Sequence, residues 1–150
     1  MENNYTIINP KTESDFEEYY KLRWLTLRKD WSQGLGSEQD PTDSNSAHRM
    51  IINSHSKAIA VARLHYNSNV ESQIRYMGVH PNYRRRNFGT ILLNDLEKIS
   101  LKSRRRKIIL HAREEAINFY LENGFILGPK THLLFNSIQH YLMSKKLSDN

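Results

Sequence analysis

Val79-His80-Pro81-Asn82-Tyr83-Arg84-Arg85-Arg86-Asn87-Phe88-Gly89-Thr90 is the stretch from which the rest of the chain can be read. An alternating segment, Gln73-Ile74-Arg75-Tyr76-Met77-Gly78-Val79, runs into it as a strand that Pro81 stops. Beyond the arginines, Phe88, Leu92, Leu96 and Ile99 recur at helical spacing from about Thr90 to Lys102. The order is therefore strand, basic turn, helix. The first N–H groups of a helix lack partners within it, and its dipole places partial positive charge there. Asn87 tolerates the left-handed conformation that turns backbone amides inward as a nest. Gly89 has no Cβ to keep a ligand from the backbone, and Arg84 and Arg86 add full charges. Such a turn is expected to hold a diphosphate.

Around this stretch lie 150 residues, 38% hydrophobic and 25% charged, a composition that suits one folded domain over residues 1–150 and not a disordered chain. There is no apolar run long enough to cross a bilayer, and Met1-Glu2-Asn3-Asn4 has neither the basic nor the apolar region of a signal peptide. No cysteine is present, which excludes disulfides, thiolate metal sites and cysteine nucleophiles and fits a cytoplasmic location. No metal site is expected. The net charge of +6 favours an anionic partner. It is concentrated in Arg84–Arg86 and in Arg104–Lys107, and the second run reads as a solvated helix end. Neither zinc-finger spacing nor a basic-aromatic ladder points to nucleic acid, and no membrane partner is expected.

Working outward, Tyr5–Ile8 reads as a first strand stopped at Pro10. Ser14-Asp15-Phe16-Glu17 reads as a capping box opening a helix to about Lys29, with Phe16, Tyr20, Trp24 and Leu27 as its core stripe. Asp30 to Ser46 is a long polar loop, with room for a short helix from Thr42 or Asp43. Met50–Asn53, Ala58–Tyr66 and Val70–Val79 form a meander that feeds the basic turn. Lys107–His111 is a buried strand, and a helix over Ala116–Asn123 stops at Gly124. Phe125–Leu127 and Ile138–Leu147 are the last strands.

Two of these segments carry a family resemblance. Arg84-Arg85-Arg86-Asn87-Phe88-Gly89 resembles the acyl-CoA-binding signature of the GNAT acetyltransferases, Arg/Gln-x-x-Gly-x-Gly/Ala, with Asn87 where the family usually has glycine. Ala116-Ile117-Asn118-Phe119-Tyr120-Leu121-Glu122-Asn123-Gly124-Phe125 resembles the second signature, Ala-x-x-Phe/Leu-Tyr-x-x-x-Gly-Phe. The likeness implies an α/β fold: a single GNAT-type domain with a mixed, mostly antiparallel twisted sheet flanked by helices, the strands on either side of the Thr90 helix running parallel. A narrower likeness lies in Leu22-Arg23-Trp24 followed by Leu27-Arg28-Lys29, then Gly36-Ser37-Glu38, Ile74-Arg75-Tyr76-Met77 and His140-Tyr141-Leu142-Met143. These resemble a GNAT subgroup found fused to hot-dog thioesterase-like domains and linked to malonyl-carrier decarboxylation.

The resemblance implies an N-acetyltransferase that moves an acetyl group from acetyl-CoA directly to a primary amine of a small molecule or peptide. The cofactor would be held by Met77, Gly78 and Val79, by Arg84, Arg85, Arg86, Asn87, Phe88, Gly89 and Thr90, and by Asn118 and Tyr120. Met77 to Val79 would offer backbone N–H groups to the thioester oxygen, and the segment after the first helix would line the acceptor pocket. Tyr120 would protonate the leaving thiolate. Where many members carry a glutamate base, Gln73 stands here and cannot take a proton. Glu71 on the same strand face, His140 and His65 are the candidate bases, beside a water chain with none. Malonyl-thioester decarboxylation and non-catalytic acyl-CoA binding are the alternatives, and a homodimer is left open.

Overall fold

The computed structural model describes residues 4–148. Seven strands form one sheet in the order β1-β2-β3-β4-β5-β7-β6, namely β1 (Tyr5–Ile8), β2 (Ala47–Asn53), β3 (Ala58–Tyr66), β4 (Glu71–Val79), β5 (Lys107–Arg113), β6 (Ile126–Leu134) and β7 (Ile138–Lys146). Three α-helices accompany it: α1 (Glu13–Leu27), α2 (Phe88–Lys102) and α3 (Ile117–Glu122). This is the α/β, mostly antiparallel arrangement expected, with β4 and β5 parallel from Glu71 opposite Lys107 to Ile74 opposite Leu110. The crossover between these two strands is α2, as the parallel pairing requires. By contact density the chain forms two compact units. One comprises the residues up to His65 with Tyr76–Leu96, and the other Tyr66–Arg75 with the residues from Glu97 onward.

In the first unit, β1 pairs antiparallel with β2, and β2 with β3. Strand β3 is buried from Ala58 to Leu64, a continuous apolar run broken by Arg63. Helix α1 starts two residues earlier than the sequence suggests. Thr12, not Ser14, is the N-cap: its hydroxyl accepts from the Asp15 N–H at 3.0 Å, and the Asp15 carboxylate accepts from the Thr12 N–H at 3.2 Å. A capping box closed by Asp15 satisfies the same two orphan donors as one closed by Glu17. The buried face is also displaced by one residue. Tyr19, Leu22 and Arg23 are buried, while Phe16, Tyr20, Trp24 and Leu27 are only half-buried. Periodicity alone scores an arginine as surface, which hides the stripe through Tyr19 and Arg23. Phe16 and Tyr20 still pack on the rim of the cluster formed by Tyr19, Leu22, Met50, Ala58 and Val61.

Arg23 and Arg63 are wholly buried because the loop after α1 brings carboxylates to them. Asp43 lies in a short 3-10 turn, Pro41–Asn45, which Asp40 caps, close to the short helix expected there. Asp43 sits 3.0 Å from Arg23 and 2.9 Å from Arg63. His48 donates from Nε2 to the Asp43 carbonyl at 2.7 Å, which leaves Nδ1, 2.7 Å from the Tyr19 hydroxyl, as an acceptor. Most of the long polar loop is thus pinned at its far end by a buried network. Gly78 in β4 marks another close approach, since a Cβ there would overlap the Thr26 hydroxyl of α1.

In the second unit, β5 pairs antiparallel with β7 over its full length, and β7 with β6. Ser72 of β4 and Ser100 of α2 share a buried hydrogen bond of 2.8 Å. Ser100, and not the expected Ile99, takes the last buried place on α2 after Phe88, Leu92, Leu93 and Leu96. Helix α3 is capped by Asn123 and followed by Gly124, whose φ of +89 is the left-handed stop expected. Strand β6 runs well beyond the expected Leu127, to Leu134. Its hairpin to β7 is closed by Phe135 and Asn136, both left-handed, with Ser137 N–H donating to Leu134 O at 3.1 Å. Positive φ at both central positions is the type I′ geometry that matches strand twist. The pair Phe-Asn lacks the usual glycine, so the turn was not legible.

Candidate active site

The basic turn is built as a nest. After β4 a 3-10 turn, Pro81–Tyr83, leads into Arg84, and Arg85 (φ 61) and Asn87 (φ 72) are both left-handed. Asn87 therefore adopts the conformation for which glycine would otherwise be needed, at the modest cost its side chain allows. Its carbonyl accepts from the Ile91 N–H at 3.1 Å, so α2 opens with the N–H groups of Phe88, Gly89 and Thr90. These three have no preceding helical carbonyl to bond. The entry is held from below: Phe88 is buried, edge-on to Tyr5 at 5.4 Å and to Tyr83 at 5.8 Å between ring centroids. Arg84, Arg85, Arg86 and Asn87 are exposed. Arg84 Nε donates to the Val79 carbonyl at 3.2 Å, and the Arg86 guanidinium lies 5.1 Å from the Tyr83 ring centroid. Two left-handed residues, a helix start and three exposed guanidiniums suit a diphosphate.

Upstream of the turn, Met77, Gly78 and Val79 end β4 and are half-buried. The residue before them, Tyr76, has φ 56 inside the strand. The sequence does not foresee this kink, because an aromatic residue is among the least suited to left-handed backbone.

In the second unit, Tyr120 lies on α3 and is buried, edge-on to Phe119 at 5.0 Å and to Phe125 at 5.6 Å. Burial pushes its phenol up to about 12, against a smaller opposing effect of the Arg113 charge. Asn118, two residues before it, is exposed. Glu71 begins β4, where its carboxylate accepts from Asn67 Nδ2 at 2.9 Å and lies 3.8 Å from Lys107 Nζ. Gln73 shares the same Asn67 amide, at 3.0 Å, so Glu71 and Gln73 do lie on one face. His140 of β7 is buried, and its Nδ1 donates to the Ile138 carbonyl at 3.0 Å. In the neutral ring this leaves Nε2 with a free lone pair.

Beside His140 stands a feature the sequence did not disclose. His132 of β6 stacks on it with ring centroids 4.3 Å apart, and His111 of β5 lies 5.5 Å from His132. Three isolated histidines become neighbours only through the strand order β5-β7-β6. Burial lowers the pKa of His140 despite the Ile138 bond, and His132, Arg113 and His111 lower it further. His111 is lowered by burial and then by His132 and Arg75. Among the described residues no group of histidines, aspartates and glutamates is arranged to hold a metal ion. His65, the remaining base candidate, accepts from Arg63 Nη2 at its Nδ1, 3.0 Å away, in the first unit.

The acetyltransferase (GNAT) family model matches residues 16–125, nearly three-quarters of the chain. A Lactobacillus plantarum protein assigned as an N-acetyltransferase superposes with a TM-score of 0.84 at 19% identity, covering 97% of this chain and 100% of its own. An Elizabethkingia anophelis GNAT acetyltransferase with acetyl-CoA bound gives 0.76 at 14%, covering 97% and 99%. An aminoglycoside 6′-N-acetyltransferase complexed with coenzyme A gives 0.80 at 12%, covering 97% and 98%. The chain belongs to the acetyltransferase (GNAT) family. It is an acyltransferase, with acetyl-CoA as the donor its class uses. No helix of the described residues is long and apolar enough to cross a membrane.

Proposed function

We propose that this protein transfers an acetyl group from acetyl-CoA directly to a primary amine of a small molecule or peptide. The observation that carries the reading is the left-handed pair Arg85 and Asn87 opening α2 immediately after β4, in a chain of this family. The family match draws residues from both compact units, which supports the whole chain, 1–150, working as one catalytic domain.

Acetyl-CoA supplies an activated thioester, from which the acyl carbon forms a bond to nitrogen as the bond to sulfur breaks. Arg84, Arg85 and Arg86, with the amides of Asn87, Phe88, Gly89 and Thr90, hold the diphosphate by charge and by oriented N–H groups. Backbone N–H groups of Met77, Gly78 and Val79 donate to the thioester oxygen as charge develops on it. Asn118 adds a polar contact to the donor from α3. Tyr120 donates a hydrogen bond to the departing sulfur. A phenol pushed up to about 12 holds its proton more firmly than a thiol with a pKa near 8.5. Tyr120 therefore stabilises the thiolate as a donor, and water completes the proton transfer. For the acceptor amine, the bare Nε2 of neutral His140 is better prepared to take a proton than Glu71, whose carboxylate is engaged by Asn67 and Lys107.

The test is mass spectrometry of products from purified protein given acetyl-CoA or malonyl-CoA with a library of amines and peptides. An acetylated amine and free coenzyme A are expected from acetyl-CoA. Carbon dioxide release from malonyl-CoA without amine acylation would replace the transferase reading with decarboxylation, and binding without turnover would leave a donor-sensing module.

A further inference from the structure

Tyr76 combines two features that do not ordinarily occur together. It lies within a β-strand, and its φ is 56. Left-handed backbone is costly for a bulky residue and persists only where its surroundings over-determine it. Those surroundings are specific. The Tyr76 hydroxyl donates to Asp40 Oδ2 at 2.8 Å. The guanidinium carbons of Arg23 and Arg63 lie 4.4 Å and 5.0 Å from its ring centroid, with Arg28 at 5.7 Å. Arg23 and Arg63 are fully buried and held by Asp43, so the surface on which the ring lies is fixed. Asp40 is fixed too: it caps the turn Pro41–Asn45 through the Thr42 N–H at 2.7 Å and faces Arg63 at 3.5 Å.

One left-handed residue in a strand redirects everything that follows it, because side chains and amides beyond it no longer keep the pleat's alternation. The next residues are Met77, Gly78 and Val79. We propose that Tyr76 is a positioning residue for the acyl donor: its hydrogen bond to Asp40 holds the left-handed turn in β4, and that turn sets the direction of the Met77–Val79 amides. The inference rests on the reading of Met77–Val79 as the segment that meets the thioester end of acetyl-CoA. It also makes the loop after α1, which supplies Asp40, part of the donor site without touching the donor.

The test is calorimetric titration of the full chain with two ligands, acetyl-CoA and adenosine 3′,5′-bisphosphate, the nucleotide half that only the basic turn would hold. Tyr76→Phe keeps the ring over the arginines and removes the bond to Asp40. It is expected to weaken acetyl-CoA binding by about tenfold, the scale of one hydrogen bond to a charged acceptor. Binding of the bisphosphate should match wild type, and the melting temperature should move little. Asp40→Asn keeps an acceptor for the tyrosine and a good cap but loses the charge, and is expected to weaken acetyl-CoA binding less than Tyr76→Phe does and to leave bisphosphate binding unchanged. Unchanged acetyl-CoA binding in Tyr76→Phe would overturn the proposal. So would a parallel loss of both ligands and of stability. Wild-type protein that binds neither ligand would remove the donor reading itself, and this proposal with it.

Discussion

Arg23 Nη1 lies 3.0 Å from Asp43 Oδ2, with the arginine side chain fully out of water and the aspartate nearly so. Partial burial alone would raise the Asp43 carboxyl pKa. The Arg23 charge, the Arg63 hydrogen bond and the Asp40 N–H outweigh it and hold the carboxyl below its ordinary value. The same aspartate neutralises Arg63, so one side chain answers two buried cations. Asp43→Ala would leave both without their closest carboxylate. Breaking a buried pair in this way costs about 3–5 kcal/mol. A drop in melting temperature of roughly 10 °C is expected for a chain of this size. A shift of a degree or two in a thermal melt would show that water or Asp40 takes over the pairing.

Histidine burial makes stability fall as the solution is acidified. His48, His111 and His140 all have lowered pKa values, with burial the first cause in each. The unfolded chain takes up their protons first, so a penalty sets in as pH falls through about 6.5 and is complete below the folded values. Melting temperature should therefore decline between pH 7.5 and pH 5. His140→Gln should flatten part of that decline. Equal slopes for the two proteins would mean that His140 protonates as easily folded as unfolded.

Gly89 stands in the first turn of α2, among the N–H groups assigned to the diphosphate. A valine there places a branched side chain where the donor must approach backbone. Gly89→Val should abolish measurable binding of acetyl-CoA by calorimetry and keep the far-ultraviolet circular dichroism of the wild type. Undiminished affinity would place the diphosphate elsewhere.

Tyr120→Phe removes one hydroxyl and keeps the edge-on packing against Phe119 and Phe125. Turnover is expected to fall roughly ten- to a thousandfold, with water as the substitute donor. Affinity for acetyl-CoA should be nearly unchanged. Because the phenol is pushed up to about 12, no loss of activity from its ionisation should appear below pH 10. Normal turnover in the variant would make Tyr120 a packing residue alone.

Local chemistry makes much of this protein legible in its sequence. Strand, turn and helix around Arg84–Thr90 follow from Pro81, the arginines and the spacing of Phe88, Leu92 and Leu96, all effects that act within a few residues. Left-handed Asn87 and Gly124 follow from what those side chains permit. The parallel strands flanking α2 follow from the crossover such a helix makes. Other features depend on partners distant in sequence. A buried Arg23 is unreadable until the loop bearing Asp43 folds back on it, because charge is tolerated inside only when paired. Left-handed Tyr76 defies its own preference, and only Asp40 and the arginines beneath its ring make that conformation tenable. The stacked His132 and His140 meet because β6 and β7 pair through a turn whose residues announce nothing. Propensity and spacing are properties of neighbours along the chain; burial of charge, strain and proton affinity are properties of neighbours in space, and only tertiary structure decides those.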